Sequence, residues 1–156
     1  MLFPFFEWCE APMLGQLVRN SVWLFPVIEA LHLLALSLLG GALLVVDLRL
    51  LGFGMTGASP SSLARSARPY LVAAVGGMLV TGVLLFLSEA VKCYYNQSFW
   101  VKILTLPVAI AFTFLIRQPA ALADTTGHAP RSRLVGVLSI VLWFVVAAAG
   151  RWIGFS

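Results

Sequence analysis

The chain has 156 residues, of which 61% are hydrophobic and only 10% charged, with a mean hydropathy of +0.99. A soluble domain carries roughly 25% charged residues, and a domain of ~150 residues buries only about 70% of its unfolded surface, so lipid has to cover what remains and a soluble globular domain is excluded. The net charge of +4 comes from scattered basic residues without a basic run, which marks the flanks of membrane spans and argues against a nucleic-acid surface.

Residues 1–20 come first and differ from the rest. Phe3, Phe5, Phe6, Trp8, Leu14, Leu17 and Val18 alternate loosely with Glu7, Glu10, Gln16 and Arg19. The segment is too short and too polar to span, and it reads as an amphipathic segment lying in the membrane interface. It lacks the basic start and the cleavage site of a signal peptide.

Residues 21–156 read as a transmembrane domain of four helices. The first span covers about Val22 to Val46, with Glu29 and His32 as its only ionisable groups. The second covers Tyr70 to Leu87 and the fourth Leu134 to Gly150, both without charge. The third lies between Lys102 and Arg117, extended outward by Phe99 and Trp100, with Pro107 placed to kink it. A span needs ~20 residues at 1.5 Å each, which makes the third the shortest candidate. Helices are the expected form because each backbone polar group must be satisfied within the segment. The stretches Gly52 to Pro69 and Arg117 to Arg133 are rich in turn residues and read as loops. The turn around Cys93 to Asn96 is short, so spans two and three are expected to be antiparallel neighbours. The fold class is therefore all-α, an integral membrane four-helix bundle with an N-terminal interfacial segment.

Loop charge sets the orientation. Loops one and three carry Arg49, Arg65, Arg68, Arg117, Arg131 and Arg133, while the other side mixes Arg19, Lys92 and Arg151 with Glu7, Glu10 and Glu89. The positive-inside rule puts both termini outside the cytoplasm, in a bacterial inner membrane.

Ionisable groups inside a membrane are costly and mark functional sites by default. Glu29 and His32, Glu89, Lys102 and Arg151 come from four different spans, yet topology carries all of them to the leaflet that faces outward. At ~100° per residue Glu29 shares an azimuth with Asp47 and His32 lies about 60° away, with Gly40 close to that face. This expectation turns the polar face of span one into the bundle. Ala73, Gly77 and Thr81 form a small-residue seam on span two, and Gly82 leaves room beside Glu89.

Three readings of this cluster stand side by side. Glu29 and His32 at Glu-x-x-His spacing, with Glu89, suit a copper, zinc or iron ion. Alternatively His32 is an axial ligand to haem b, with Gly40 and Gly82 leaving flat space and Lys102 and Arg151 holding propionates. The third reading is a hydrogen-bonded network that fixes helix packing, as in a structural subunit of a larger membrane complex. His128 reads as a solvated loop residue. Asp47 and Arg49 read as an ion-paired helix end near Arg65 and Arg68. Cys9 and Cys93, the only cysteines, fall on the same outer side, so a disulfide between them is possible and two free thiols are the alternative. No Cys-x-x-Cys-His motif is present, which argues against covalent haem attachment. Besides the lipid bilayer, the expected partners are further copies of the chain or the other subunits of a membrane complex.

Span one reads IEALHLLALSLLGGALLVVDLRLLG, and the second hairpin reads SEAVKCYYNQSFWVKILTL. These segments resemble small four-helix bacterial membrane proteins grouped with the copper-resistance CopD domain and the HemJ-type protoporphyrinogen oxidases. The resemblance implies a four-helix bundle. It also implies haem b tied to His32, with Lys102 matching a featured lysine of span three. The chain departs from the HemJ type at Glu29 and in the second hairpin.

Overall fold

The computed structural model describes residues 2–127 and 129–154, and His128 lies outside them. The described chain is helical with short connections. Two short helices come first, α1 (Phe3–Glu10) and α2 (Met13–Asn20), followed by the first span, α3 (Leu24–Leu50), and the second, α4 (Pro60–Ser88). A short α5 (Ala90–Tyr95) leads into span three. That span is α6 (Gln97–Phe112), a π-helical turn (Thr113–Arg117) and α7 (Gln118–Ala123) in one 27-residue run. The fourth span is α8 (Pro130–Ile153).

Four helices are thus long and apolar enough to cross a bilayer. Only 11–28% of the residues in their most apolar stretches are buried against protein, so a hydrocarbon solvent must cover the rest. The chain is a multi-pass membrane protein. The helix α1 and the end of α8 lie on one face of the bundle, here the terminal face; the turns between spans one and two and between three and four form the loop face.

The spans are longer than hydropathy indicates, because their polar ends are capped. Ser59 accepts from the Ser62 amide at 3.2 Å, with Pro60 in the first turn, so α4 begins well before Tyr70. Asn96 Oδ1 accepts from the Ser98 and Phe99 amides at 2.9 and 3.4 Å and starts α6. Arg65, Arg68 and Arg117 consequently sit on helices and not in loops. The true first loop is short and turns on Gly52 and Gly54, both at positive φ. Span three runs on as helix through Pro107.

Spans two and three are neighbours, as expected, but neither is the other's main partner. The α6 segment packs chiefly on α8, while α4 packs chiefly on α3, and α3 also meets α8. In the chain the six-residue α5 joins α4 to α6 where a tight hairpin was expected. Spans two and three meet at their ends, through stacked Phe86 and Phe99 at 5.5 Å on the terminal face and α4 against α7 near the loop face. The central core joins Leu39, Leu43, Leu71, Ala74, Met78, Ala109, Trp143 and Val146.

The N-terminal segment is a pair of helices laid on the terminal face. The α2 helix packs on α4, and Gly15 lies so close to Leu87 that a Cβ would collide with its carbonyl oxygen. The α1 helix packs on α5, where Phe6 enters an aromatic cluster with Phe86, Tyr94, Phe99 and Trp100. Glu10 binds the Val91 amide at 2.8 Å, capping α5, and pairs with Arg19.

Candidate functional site

His32 occupies the terminal half of α3, half-buried, and faces α4. Its Nδ1 lies 2.8 Å from Thr81 Oγ1. The Thr81 hydroxyl in turn donates to the Gly77 carbonyl one turn back, at 2.6 Å. A hydroxyl has one proton, and this one is committed to Gly77. Thr81 Oγ1 therefore accepts from Nδ1–H, which leaves the lone pair on His32 Nε2. The ring rests against Gly82, where a Cβ would stand 3.4 Å from His32 Cε1. Gly77 has Ala35 at the same distance. These small residues let α4 approach α3 closely. Thr81 and Gly77 belong to that seam, but Ala73 is exposed.

Lys102 comes to the same region from α6. Its alkyl chain crosses Gly150 of α8, where a Cβ would stand 3.2 Å from Nζ. The ammonium is within electrostatic range of the His32 ring. Among the described residues Lys102 has no carboxylate partner. Two functional groups of the expected cluster are thus brought together, one from α3 and one from α6.

The other expected members stand apart. Glu29 is exposed on α3 one turn from His32 and makes no ion pair among the described residues. Asp47, which shares the Glu29 azimuth in an ideal helix, is buried near the loop face. The polar face of α3 therefore does not point inward along its whole length. Glu89 sits at the α4–α5 break and pairs with exposed Lys92 at 3.7 Å, a contact worth little in water. Arg151 is exposed in the last turn of α8. Gly40 has no neighbour within 4 Å of its Cβ position, so it borders no facing helix. Gly82 leaves room, but the His32 ring fills it. Among the described residues no three His, Cys, Asp or Glu side chains gather as a metal ion would require. Cys9 and Cys93 are both free and both buried in the aromatic cluster of the terminal face. Burial pushes the Cys93 thiol up to about 11, and Glu89 adds to the effect.

Sequence reasoning missed a second polar centre, in the loop half of the bundle. Arg117 and Asp47 are each 1% exposed, with Nε donating to Asp47 Oδ1 at 2.5 Å. Arg117 Nη2 donates to the Leu43 carbonyl at 2.9 Å, and the Ser139 hydroxyl donates to Asp47 Oδ2 at 2.7 Å. Three spans thus meet on one carboxylate. The π-helical turn aims Arg117 inward, closing with the Gln118 amide on the Thr113 carbonyl. One turn nearer the middle, Trp143 Nε1 donates to Thr113 Oγ1 at 2.9 Å, which places Trp143 at mid-bundle. Arg49, expected to pair beside Asp47, instead donates to the carbonyls of Ala58 at 2.7 Å and Thr126 at 3.3 Å, tying the two loops together. Two signals in the sequence pointed to this centre. A span of ~20 residues begun at Phe99 has to include Arg117, and the acid at Asp47 then needs a partner within the membrane.

No curated protein and no solved structure matches the chain. The profile of one family, DUF6644, matches residues 5–156, nearly the whole length. The chain, a four-span bundle with His32 and Lys102 converging in its terminal half, is therefore a member of the DUF6644 family, a family of unknown function.

Proposed function

We propose that the protein binds haem b through His32 in the bacterial inner membrane, with both termini outside the cytoplasm, and supports electron transfer. The observation that carries this reading is the 2.8 Å contact of His32 Nδ1 with Thr81 Oγ1, whose own proton goes to the Gly77 carbonyl. The His32 Nδ1–H is spent on Thr81, so Nε2 offers a lone pair, the form in which histidine ligates iron. Metal-bound histidines regularly donate their other ring N–H to an oxygen in this way. Lys102 supplies the second argument, a cation without a carboxylate partner that suits the propionate of a porphyrin. The likeness of span one and the second hairpin to HemJ-type and CopD-like proteins agrees with this assignment.

The residues fit such a group: His32 would hold the iron and Lys102 would pair with one of its carboxylates. Glu29, Gly40, Gly82 and Arg151 are left out of the set on their placement. Bound haem would supply one-electron exchange between ferric and ferrous iron. His32 orients through Thr81, and Lys102 offsets negative charge in a medium where an unpaired ion is costly.

An absorption spectrum of the protein, purified from cells supplied with a haem precursor, tests the reading. A Soret band that is lost in His32→Ala while the four-helix circular dichroism remains is the expected result. Protein that is folded and colourless would overturn it.

A further inference from the structure

We infer that Cys9 and Cys93, free thiols in this structure, close on oxidation to a disulfide that staples the N-terminal helix to the terminal face of the bundle. The inference rests on the register of α1 against α5, independently of any cofactor. The α1 helix has two buried residues, Phe6 and Cys9, and α5 also has two, Ala90 and Cys93. Each pair is spaced i, i+3 and so lies on one face. The two helices pack on each other, and all four residues share one buried cluster. The buried faces of α1 and α5 therefore meet in one cluster.

Four contacts set the register. Glu10 binds the Val91 amide at 2.8 Å. The rings of Phe6 and Tyr94 are 5.2 Å apart, and Phe3 stands 5.4 Å from Tyr94 and 6.0 Å from Tyr95. Pairing 10 with 91, 6 with 94 and 3 with 94 and 95 describes antiparallel helices. Interpolated, Cys9 lies opposite about residue 92, which is about one residue, or roughly 1.5 Å along the axis, from Cys93. Helices pack 8–10 Å apart and carry their Cα atoms at a radius of 2.3 Å, so facing Cα atoms come within about 3.4–5.4 Å. The usual span of a disulfide, roughly 4.4–6.8 Å, overlaps that window. Chain order puts no other cysteine in reach, since these are the only two.

Closure is a thiol–disulfide exchange. Both S–H bonds break and one S–S bond forms. The two electrons and two protons pass to a disulfide-bearing oxidant, which leaves as two thiols. The bridge would hold α1 on α5 and keep Phe6 in its aromatic cage, closing the end of the bundle nearest His32 and Lys102.

The test uses the intact protein in detergent, fully reduced and then incubated with oxidised glutathione at mildly alkaline pH. Samples are denatured in the presence of a maleimide and weighed by intact mass spectrometry. The expected product is a monomer lighter by two hydrogens that takes up no maleimide, and that takes up two after reduction. Peptide mapping should join the Cys9 and Cys93 fragments. Two maleimides on the oxidised sample, glutathione adducts on each cysteine, or disulfide-linked dimers would each overturn the inference. Cys9→Ser supplies the control and should yield no mass loss under the same treatment.

Discussion

Arg117→Met would strand the Asp47 carboxylate among apolar side chains in the loop half of the bundle. Both partners are 1% exposed, and the change also removes the hydrogen bond to the Leu43 carbonyl. Only the Ser139 hydroxyl would remain on Asp47. Removing one partner of a buried ion pair costs about 3–5 kcal/mol, because the remaining charge has no compensation. At about 2–4 °C per kcal/mol for a chain of this size, the melting temperature in detergent should fall by roughly 6–20 °C. The double variant Asp47→Leu/Arg117→Met removes both charges together. It leaves the Leu43 carbonyl and the Ser139 hydroxyl without their partners, at about 1–3 kcal/mol, and so should recover a large part of the loss. Far-ultraviolet circular dichroism melts of wild type, both single variants and the double complete the cycle. Additive losses, with the double variant as unstable as the sum of the singles, would refute a strongly coupled buried pair.

Three further outcomes follow from positions described above. Thr81→Val removes the acceptor for His32 Nδ1–H; with haem supplied, occupancy read from the Soret band should fall with an affinity loss of about 10–100-fold, while the helical circular dichroism stays unchanged. Gly15→Ala drives a methyl group into the Leu87 carbonyl, an overpacking cost of about 1–3 kcal/mol; limited proteolysis should then release the N-terminal segment sooner than in wild type. The Cys93 thiol is raised from 9.0 to about 11 by burial, so its neutral form favours the fold. That contribution is fully present below about pH 9 and is lost as pH rises toward 11; reduced protein should lose thermal stability over that window more steeply than Cys93→Ser.

Hydropathy carried the architecture, because a stretch of about 20 apolar residues has few alternatives to a spanning helix. Helix ends were less legible. Ser59 and Asn96 cap polar turns that hydropathy assigns to loops, and the caps extend α4 and start α6. Helix phase was legible only in part. The α3 helix is apolar on nearly every side, so nothing in its pattern distinguishes an outward Glu29 from an inward one, and the shared azimuth with Asp47 was misleading. His32 faces α4 because Gly82 and Thr81 form a place for its ring, a complementarity that no single segment reveals. The Asp47–Arg117 pair escaped notice because loop arginines are expected at the interface by the positive-inside rule. Its partners lie 70 residues apart in the chain, and only the extended third span brings them to one depth. The convergence of His32 and Lys102 was legible, since topology alone carries both to the terminal half.

The wide turn at Thr113–Arg117 accommodates one residue more than a regular helix would. Drawn as an unbroken α-helix with the same sequence, everything beyond the turn would swing by about 100°. Arg117 would then point away from Asp47, and Gln118 would lose its hold on the Ala64 carbonyl, now at 3.2 Å. Within the turn, Leu115 lies on the outer surface, 74% exposed. A chain one residue shorter at Leu115 could close the ladder and keep both halves of the span aimed as they are, so the bulge acts as a phase shifter that lets the upper half serve α8 while the lower half serves α3 and α4.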